Sequence, residues 1–218
     1  MKNIISLILL FSSLSLITDL KGQSFIAIET GFSLSNFRNT NVSTGNKLAL
    51  TAGLGYEYWI NKKIGVQATI SFVPKGANLG VVGNVTQFSY RLNYWEARFL
   101  GKYRIGTNPG FNFFLIGGPN VSRIASANER FFRIASLTTQ EIPRGEGGIS
   151  TTDAGINLGA EFNLPTDYGY ISFKTYYQYG VGNLLQIIDT SVVSSRMIHF
   201  GLSFKIRTKK EDPENPFF

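Results

Sequence analysis

The sequence contains no cysteine and a single histidine, His199. The absence of cysteine excludes disulfide scaffolds, thiolate metal sites and cysteine nucleophiles. One histidine cannot build a multi-histidine zinc site. Charge is also scarce, because Asp, Glu, Lys and Arg make up 16% of the 218 residues, against about 25% in a typical soluble domain. The chain is instead rich in Gly, Phe and Tyr (23, 18 and 10 residues), a composition that favours strands and turns over helices.

The net charge of +7 does not indicate a nucleic-acid-binding protein. Basic residues are scattered along the whole chain rather than concentrated on one face. The densest run of charge, from Lys205 to Glu214, contains both signs. We therefore expect residues 208–218 to form a charged, solvated tail on the periplasmic side.

The first 22 residues have the organisation of a secretory signal peptide. Lys2 precedes an apolar run from Ile4 to Ile17, and small or polar residues follow up to Gly22. The run is shorter than the ~20 apolar residues that a spanning helix needs, although an N-terminal membrane anchor is the alternative. No other stretch is apolar enough to span a membrane as a helix. The predicted locations are the periplasm, the outer membrane or the outside.

The remaining chain alternates apolar and polar residues with period two, as strands do and helices do not. In the clearest segment, Leu48, Leu50 and Leu54 share one face, and Thr51 and Glu57 lie on the other. The pattern predicts eight strands, each of about ten residues, which suits a tilted strand that crosses a bilayer. Their predicted ranges are Phe25–Leu34, Lys47–Tyr58, Ile64–Phe72, Tyr90–Tyr103, Phe111–Arg123, Asp153–Phe162, Tyr170–Val181 and Ile198–Ile206.

The polar faces of these strands favour the lumen of a membrane barrel over the surface of a soluble protein. They are dominated by Gly, Ser, Thr, Asn and Gln, whereas a soluble strand shows many Lys and Glu to water. The lumen of an eight-stranded barrel has room only for side chains. We therefore predict a mixed-sign network in the lumen, made of Glu57, Glu96, Arg98, Lys102, Glu161, Lys174 and Lys205. A soluble lipocalin-like barrel is the alternative.

The connections alternate between long and short. The long ones are predicted at 35–46, 74–87, 124–151 and 182–195, and the short ones at 60–63, 104–110 and 165–169. Tight periplasmic turns and longer outer loops are typical of bacterial outer-membrane barrels. Aromatic residues beside the short turns predict a periplasmic girdle: Tyr58, Trp59, Tyr103, Phe111, Phe162, Tyr168 and Phe204. The predicted fold is all-β: an eight-stranded, antiparallel, up-and-down transmembrane β-barrel over residues 23–207.

Five segments carry a resemblance to a known family, and they occur in order at Gly31–Asn36, Phe72–Ala77, Tyr94–Tyr103, Gly118–Val121 and Asp153–Glu161. Together they resemble the small outer-membrane β-barrels of Bacteroidetes-type bacteria, the PorT-like or porin-family barrels. One departure is Arg98, which stands where the family strand usually has proline. The resemblance implies an outer-membrane barrel. It implies little about function, although one member is linked to protein secretion.

The sequence predicts no catalytic, cofactor or metal site. His199 is expected in the lumen near Lys205, Glu161 and Glu57, without the nucleophile and orienting acid that catalysis requires. The long segment 124–151 is the best candidate for a binding loop, because arginine and aromatic residues combine contact area with charge-assisted hydrogen bonds. Its candidate residues are Arg130, Phe131, Phe132, Arg133 and Arg144.

Two classes of function follow. The first is a non-enzymatic outer-membrane barrel with a plugged lumen and a structural or binding role, including one in a secretion assembly. The second is a small passive pore or a lipid-modifying barrel enzyme. The expected partners are membrane lipids, lipopolysaccharide and an envelope or secretion protein, and no nucleic acid.

Overall fold

The computed structural model describes residues 22–38, 44–79, 87–108, 111–133, 136–142, 150–182 and 194–208. No helix in this part of the chain is long and apolar enough to cross a membrane. The described strands are β1 (Ser24–Arg38), β2 (Thr44–Gly45), β3 (Lys47–Trp59), β4 (Ile64–Leu79), β5 (Gln87–Asn108), β6 (Phe111–Arg133), β7 (Ser136–Ile142), β8 (Thr152–Thr166), β9 (Gly169–Gly180) and β10 (Ser194–Arg207).

Antiparallel pairing closes eight of these strands into a ring. The order around the ring is β1, β3, β4, β5, β6, β8, β9 and β10, and β10 pairs again with β1. The short strand β2 pairs with the C-terminal end of β4, and β7 pairs with the C-terminal end of β6. Because the described strands close into a ring, no whole strand of it is left as a free edge for association with another sheet. The predicted eight-stranded, up-and-down barrel is confirmed.

The two faces of each strand have opposite chemistry, and the apolar face points outward. Leu54 and Ile70 are 63% and 62% exposed and lie opposite each other on β3 and β4. Glu57 and Lys205, on the alternate face, are completely buried. A soluble protein buries its apolar face, so this inverted pattern fits a wall that meets lipid.

The strands extend further toward the long-loop end than the sequence predicted. β4 continues through Pro74 to Leu79, and β6 continues to Arg133 before β7 folds back against it. The expectation of irregular loops over 74–87 and 124–151 was therefore wrong in part. Antiparallel strands go on pairing for as long as a partner lies alongside, and β5 supplies that partner to both β4 and β6.

Trp59 does not belong to the predicted aromatic girdle, because its side chain points into the barrel and is 1% exposed. Its Nε1 donates a hydrogen bond of 2.6 Å to Glu57 Oε1. Gly65 lies opposite on β4, where an added Cβ would come within 2.9 Å of the indole ring. Period two already predicted this orientation, since residues 57 and 59 have the same parity.

The predicted signal peptide (residues 1–22) and tail (residues 208–218) lie outside the described residues, apart from Gly22 and Thr208. Thr208 is held at the short-turn end, where its Oγ1 donates a hydrogen bond of 3.0 Å to Ser24 O. The first and last barrel strands therefore meet at this end, which is the periplasmic end in bacterial outer-membrane barrels.

An arginine on the outer face should destabilise the barrel. Leu54→Arg or Ile70→Arg would place a charge among lipid chains, at a cost of about 2–4 kcal/mol near the bilayer midplane. The matched control is Tyr168→Arg, in a turn residue that is 75% exposed, where the cost should be about 0–1 kcal/mol. Urea unfolding of the barrel in liposomes measures the free energy of unfolding of each variant. Equal stability of all three variants would contradict a lipid-facing wall.

Candidate functional site: an ion-pair network in the lumen

The network begins near the short-turn end with four charged side chains of alternating sign. Lys102 Nζ lies 2.5 Å from Glu57 Oε2 and 2.7 Å from Glu161 Oε2. Lys205 Nζ lies 2.7 Å from the same Glu57 oxygen and also pairs with Glu161 Oε1. The Trp59 indole adds its hydrogen bond to Glu57. We call these four charged residues the lower quartet.

A second group lies at mid-height around Glu29 of β1. Lys174 Nζ lies 2.5 Å from Glu29 Oε1, and Arg98 Nη2 lies 3.1 Å from Glu29 Oε2. Gln67 Nε2 donates to the first of these oxygens at 2.5 Å. Lys174 also approaches Glu161 Oε2 at 3.8 Å, which joins this group to the lower quartet.

The third group lies nearer the long-loop end and is centred on Lys75 of β4. Its Nζ lies 2.9 Å from Asp153 Oδ2 and 3.1 Å from Glu96 Oε2. Ser122 Oγ donates a hydrogen bond of 3.1 Å to the same Glu96 oxygen. Arg98 Nη1 lies 3.6 Å from Glu96 Oε1, so Arg98 connects the third group to the second.

The whole network is continuous and electrically balanced. Its described members are five acids and five bases: Glu29, Glu57, Glu96, Asp153, Glu161, Lys75, Arg98, Lys102, Lys174 and Lys205. None of their side chains is more than 6% exposed. Taking an ion out of water costs several kcal/mol unless a counter-charge and hydrogen bonds compensate, and this arrangement supplies both.

Apolar side chains occupy the lumen on both sides of the network. At the short-turn end, Phe25 and Tyr170 contact each other with ring centroids 5.3 Å apart, and Trp59 contacts Phe114 at 5.0 Å. At the long-loop end, a second buried cluster consists of Phe37, Ala77, Leu92, Tyr94, Ile124 and Ala127. Charged groups in the middle are therefore separated from water at each end by packed side chains.

His199 is buried but does not lie among the residues predicted to surround it. Lys205 is six residues further along β10, roughly 20 Å away at the usual rise per residue. The imidazole instead stacks on Tyr176, with centroids 4.6 Å apart, and its Nε2 lies 2.9 Å from Thr51 Oγ1. The expectation that His199 neighbours Lys205, Glu161 and Glu57 was wrong, because successive inward positions of one strand lie at different heights.

The structure brings the seven sequence-predicted lumen residues together in this one network. Sequence reasoning missed Glu29, Lys75 and Asp153. Glu29 and Asp153 alternate with outward-facing apolar residues, so period two was a usable signal for both. Lys75 had no such signal, because Pro74 made its segment look like a loop.

The candidate binding residues of segment 124–151 lie partly on a strand. The backbone of residues 130–133 belongs to β6, between β5 and β7, with Arg130 opposite Thr139 and Arg133 opposite Ser136. Arg144 lies outside the described residues. No group of three or more His, Cys, Asp and Glu residues that could hold a metal ion occurs within the described ranges.

Comparison with protein families decides the class of barrel. Residues 21–186 match the family described as "Outer membrane protein beta-barrel domain". The chain belongs to this family. Its location is therefore the outer membrane, as the sequence predicted. None of the curated proteins compared with the chain matches it.

The chain is also similar to solved outer-membrane barrels. OprG from Pseudomonas aeruginosa is 15% identical, with 84% of this chain and 96% of that chain covered and a TM-score of 0.47. Ail, the attachment invasion locus protein of Yersinia pestis, is 14% identical, with 85% and 99% covered and a TM-score of 0.44.

Glu161 has the most ionic partners in the network, so its neutralisation should be costly. Glu161→Gln would leave Lys102 and Lys205 sharing Glu57 alone, and breaking a buried pair costs about 3–5 kcal/mol. A second change, Lys205→Met, would restore the balance of charge. The double variant should therefore be more stable than the sum of the two single losses predicts.

Unfolding in detergent, followed by tryptophan fluorescence, measures the three variants against the wild type. Thr175→Ala, on the outer face of β9 next to Lys174, is the matched control and should change stability by less than about 0.5 kcal/mol. Strictly additive losses would show that Glu161 and Lys205 are not coupled.

Proposed function

We propose that the protein is a non-enzymatic outer-membrane barrel with a plugged lumen, and that it has a structural or binding role in the cell envelope. The observation that carries this proposal is the continuous ion-pair network. It spans the lumen from Asp153 to Glu57 and leaves no member more than 6% exposed.

A passive pore fits this geometry less well. A conducting lumen needs a water-filled path lined by polar groups. Here the charged groups neutralise each other at contact distances, and aromatic or aliphatic side chains pack beyond them at both ends. An ion entering the barrel would have to separate existing pairs and displace packed side chains.

A lipid-modifying enzyme also fits less well. Lys75 Nζ lies 3.3 Å from Ser122 Oγ, but this ammonium group is paired with Asp153 and Glu96. A base–hydroxyl contact of the kind used in acyl transfer joins His199 to Thr51. Both side chains are buried inside the barrel, at 3% and 5% exposure. A substrate would have no approach to them, and catalysis would also need a third group to orient the imidazole.

The binding role is assigned to the outer end of the barrel. The β5–β6–β7 extension carries Arg130 to Arg133 beyond the ring, and Arg144 follows in sequence. Envelope or secretion proteins, membrane lipids and lipopolysaccharide are the proposed partners. A relationship to the PorT-like, porin-family barrels of Bacteroidetes-type bacteria, an N-terminal export signal and participation in a secretion assembly belong to the same proposal.

Conductance across a planar bilayer tests the plug. The wild type should show no steady conductance. Arg98→Ala should open a conducting path, because it removes the group that joins Glu96 to Glu29 and leaves a space beside Tyr176, whose ring centroid lies 4.7 Å from the guanidinium carbon. Glu96→Gln should have a weaker effect, since Lys75 and Arg98 each keep another acidic partner.

The matched control is Phe99→Ala, next to Arg98 but 56% exposed on the outer face, and it should remain closed. Unfolding in detergent checks that each variant is folded before it is measured. Steady conductance by the wild type, with stability unchanged in Glu96→Gln and Arg98→Ala, would contradict the plugged barrel and favour a passive pore.

A further inference from the structure

The side chain of His199 lies in a buried slot on the inner wall of the barrel, where the residue is 3% exposed. The slot exists because Gly31 of β1 and Gly201 of β10 lie opposite each other and neither has a side chain. A Cβ added at Gly201 would come within 2.7 Å of His199 Cε1, and one added at Gly31 would come within 3.0 Å of the same atom. The imidazole therefore occupies the space that two other side chains would fill.

The hydrogen bonds of the slot suit an uncharged imidazole. Nε2 lies 2.9 Å from Thr51 Oγ1 of β3. Nδ1 is buried and has no hydrogen-bond partner within the part of the chain that the structure describes. A protonated imidazole has two N–H groups, and each of them needs an acceptor. A buried N–H without an acceptor is costly, and a buried charge without a counter-charge costs more. The slot therefore does not accommodate an imidazolium ion.

Four charged side chains act on the imidazole from the strands packed around it: Arg98 and Glu96 of β5, Lys174 of β9 and Glu29 of β1. The side chain of Lys174 is adjacent, because its Cγ and His199 Nδ1 lie 3.0 and 3.3 Å from the same point, the position of a Cβ on Gly201. Each of the two acids already pairs with two cations. A proton added to His199 would therefore place an uncompensated positive charge in a balanced network.

Tyr176 connects the imidazole to the ion-pair network. Its ring stacks on that of His199, with centroids 4.6 Å apart and an angle of 15° between the planes. The guanidinium carbon of Arg98 lies 4.7 Å from the centroid of the same tyrosine ring. Arg98 in turn joins Glu96 to Glu29, and so holds the third group of the network to the second. Departure of the imidazole from its slot would remove support from Tyr176 and leave a space over the two glycines.

We propose that His199 makes the plug sensitive to acid: protonation expels the imidazole from its slot and opens a path past Tyr176. The closed barrel holds the uncharged ring, whereas the open barrel lets water reach the imidazolium ion. This inference rests on the proposed plugged lumen and adds a condition under which the plug opens. Because each barrel that opens takes up one proton, the ratio of open to closed barrels should rise tenfold for each pH unit below about 6.5, the ordinary pKa of histidine.

Conductance of single barrels in planar bilayers, recorded from about pH 7.5 to about pH 5, tests the proposal. This range lies above the pH at which ordinary Asp and Glu side chains titrate, about 4. Wild-type barrels should be closed at the upper limit, and their open fraction should increase about tenfold per pH unit below about 6.5. His199→Gln has a side chain that does not titrate, so its open fraction should not change with pH.

The matched control is Phe200→Leu, next to His199 but 51% exposed on the outer face, and it should respond to pH as the wild type does. Heat-modified migration on gels verifies that each variant is folded. A wild type that stays closed down to about pH 5 would overturn the proposal without any variant, and so would the same pH response in folded His199→Gln. Steady conductance of the wild type at about pH 7.5 would instead contradict the plugged lumen on which the proposal rests.

Discussion

Compensation of buried charge is the constraint on which the rest of this structure depends. An eight-stranded barrel leaves room in its lumen only for side chains. The strands alternate between an outward face that is apolar, because it meets lipid, and an inward face that carries the polar and charged residues. Each charge placed inside must therefore find its counter-charge inside. The ten members of the network meet this condition with equal numbers of acids and bases, and Lys174 and Arg98 connect its three groups.

Compensation of buried charge also links the closed wall of the barrel to its lumen. Closure of the ring satisfies the backbone hydrogen bonds that lipid cannot. The network then fixes β1, β3, β4, β5, β8, β9 and β10 to one another from within, since it contains residues from each of these strands. Above the pair Ala52 and Phe72, where the β3–β4 ladder stops, Ser33 and Ser35 contact both strands from inside the barrel. Under the proposed function, a barrel held in this way would support binding at its outer end and not transport through its centre.

Much of this arrangement could be predicted from the sequence because period two assigns each residue to one face. That rule alone predicted the barrel and the inward faces of Glu57, Glu96 and Lys174. It could not reveal which charges would meet, since contacts such as Lys75 with Asp153 join residues far apart in the chain. Height along the barrel also depends on the register between strands, which explains the misplaced surroundings of His199. The extension of β4 could not be predicted from the sequence, because Pro74 has no N–H to donate to a ladder and proline is therefore rare inside strands.

Hydrogen exchange at the lysine ammonium groups tests the central claim most directly. Nitrogen NMR of the folded barrel in micelles at neutral pH resolves buried ammonium protons only when water cannot reach them quickly. Lys75, Lys102, Lys174 and Lys205 should give protected signals, whereas Lys62 and Lys63, which are exposed in the turn after β3, should exchange too fast to be seen. Exchange of the four lumen lysines as fast as that of Lys62 and Lys63 would show a wet lumen and contradict a closed, charge-compensated network.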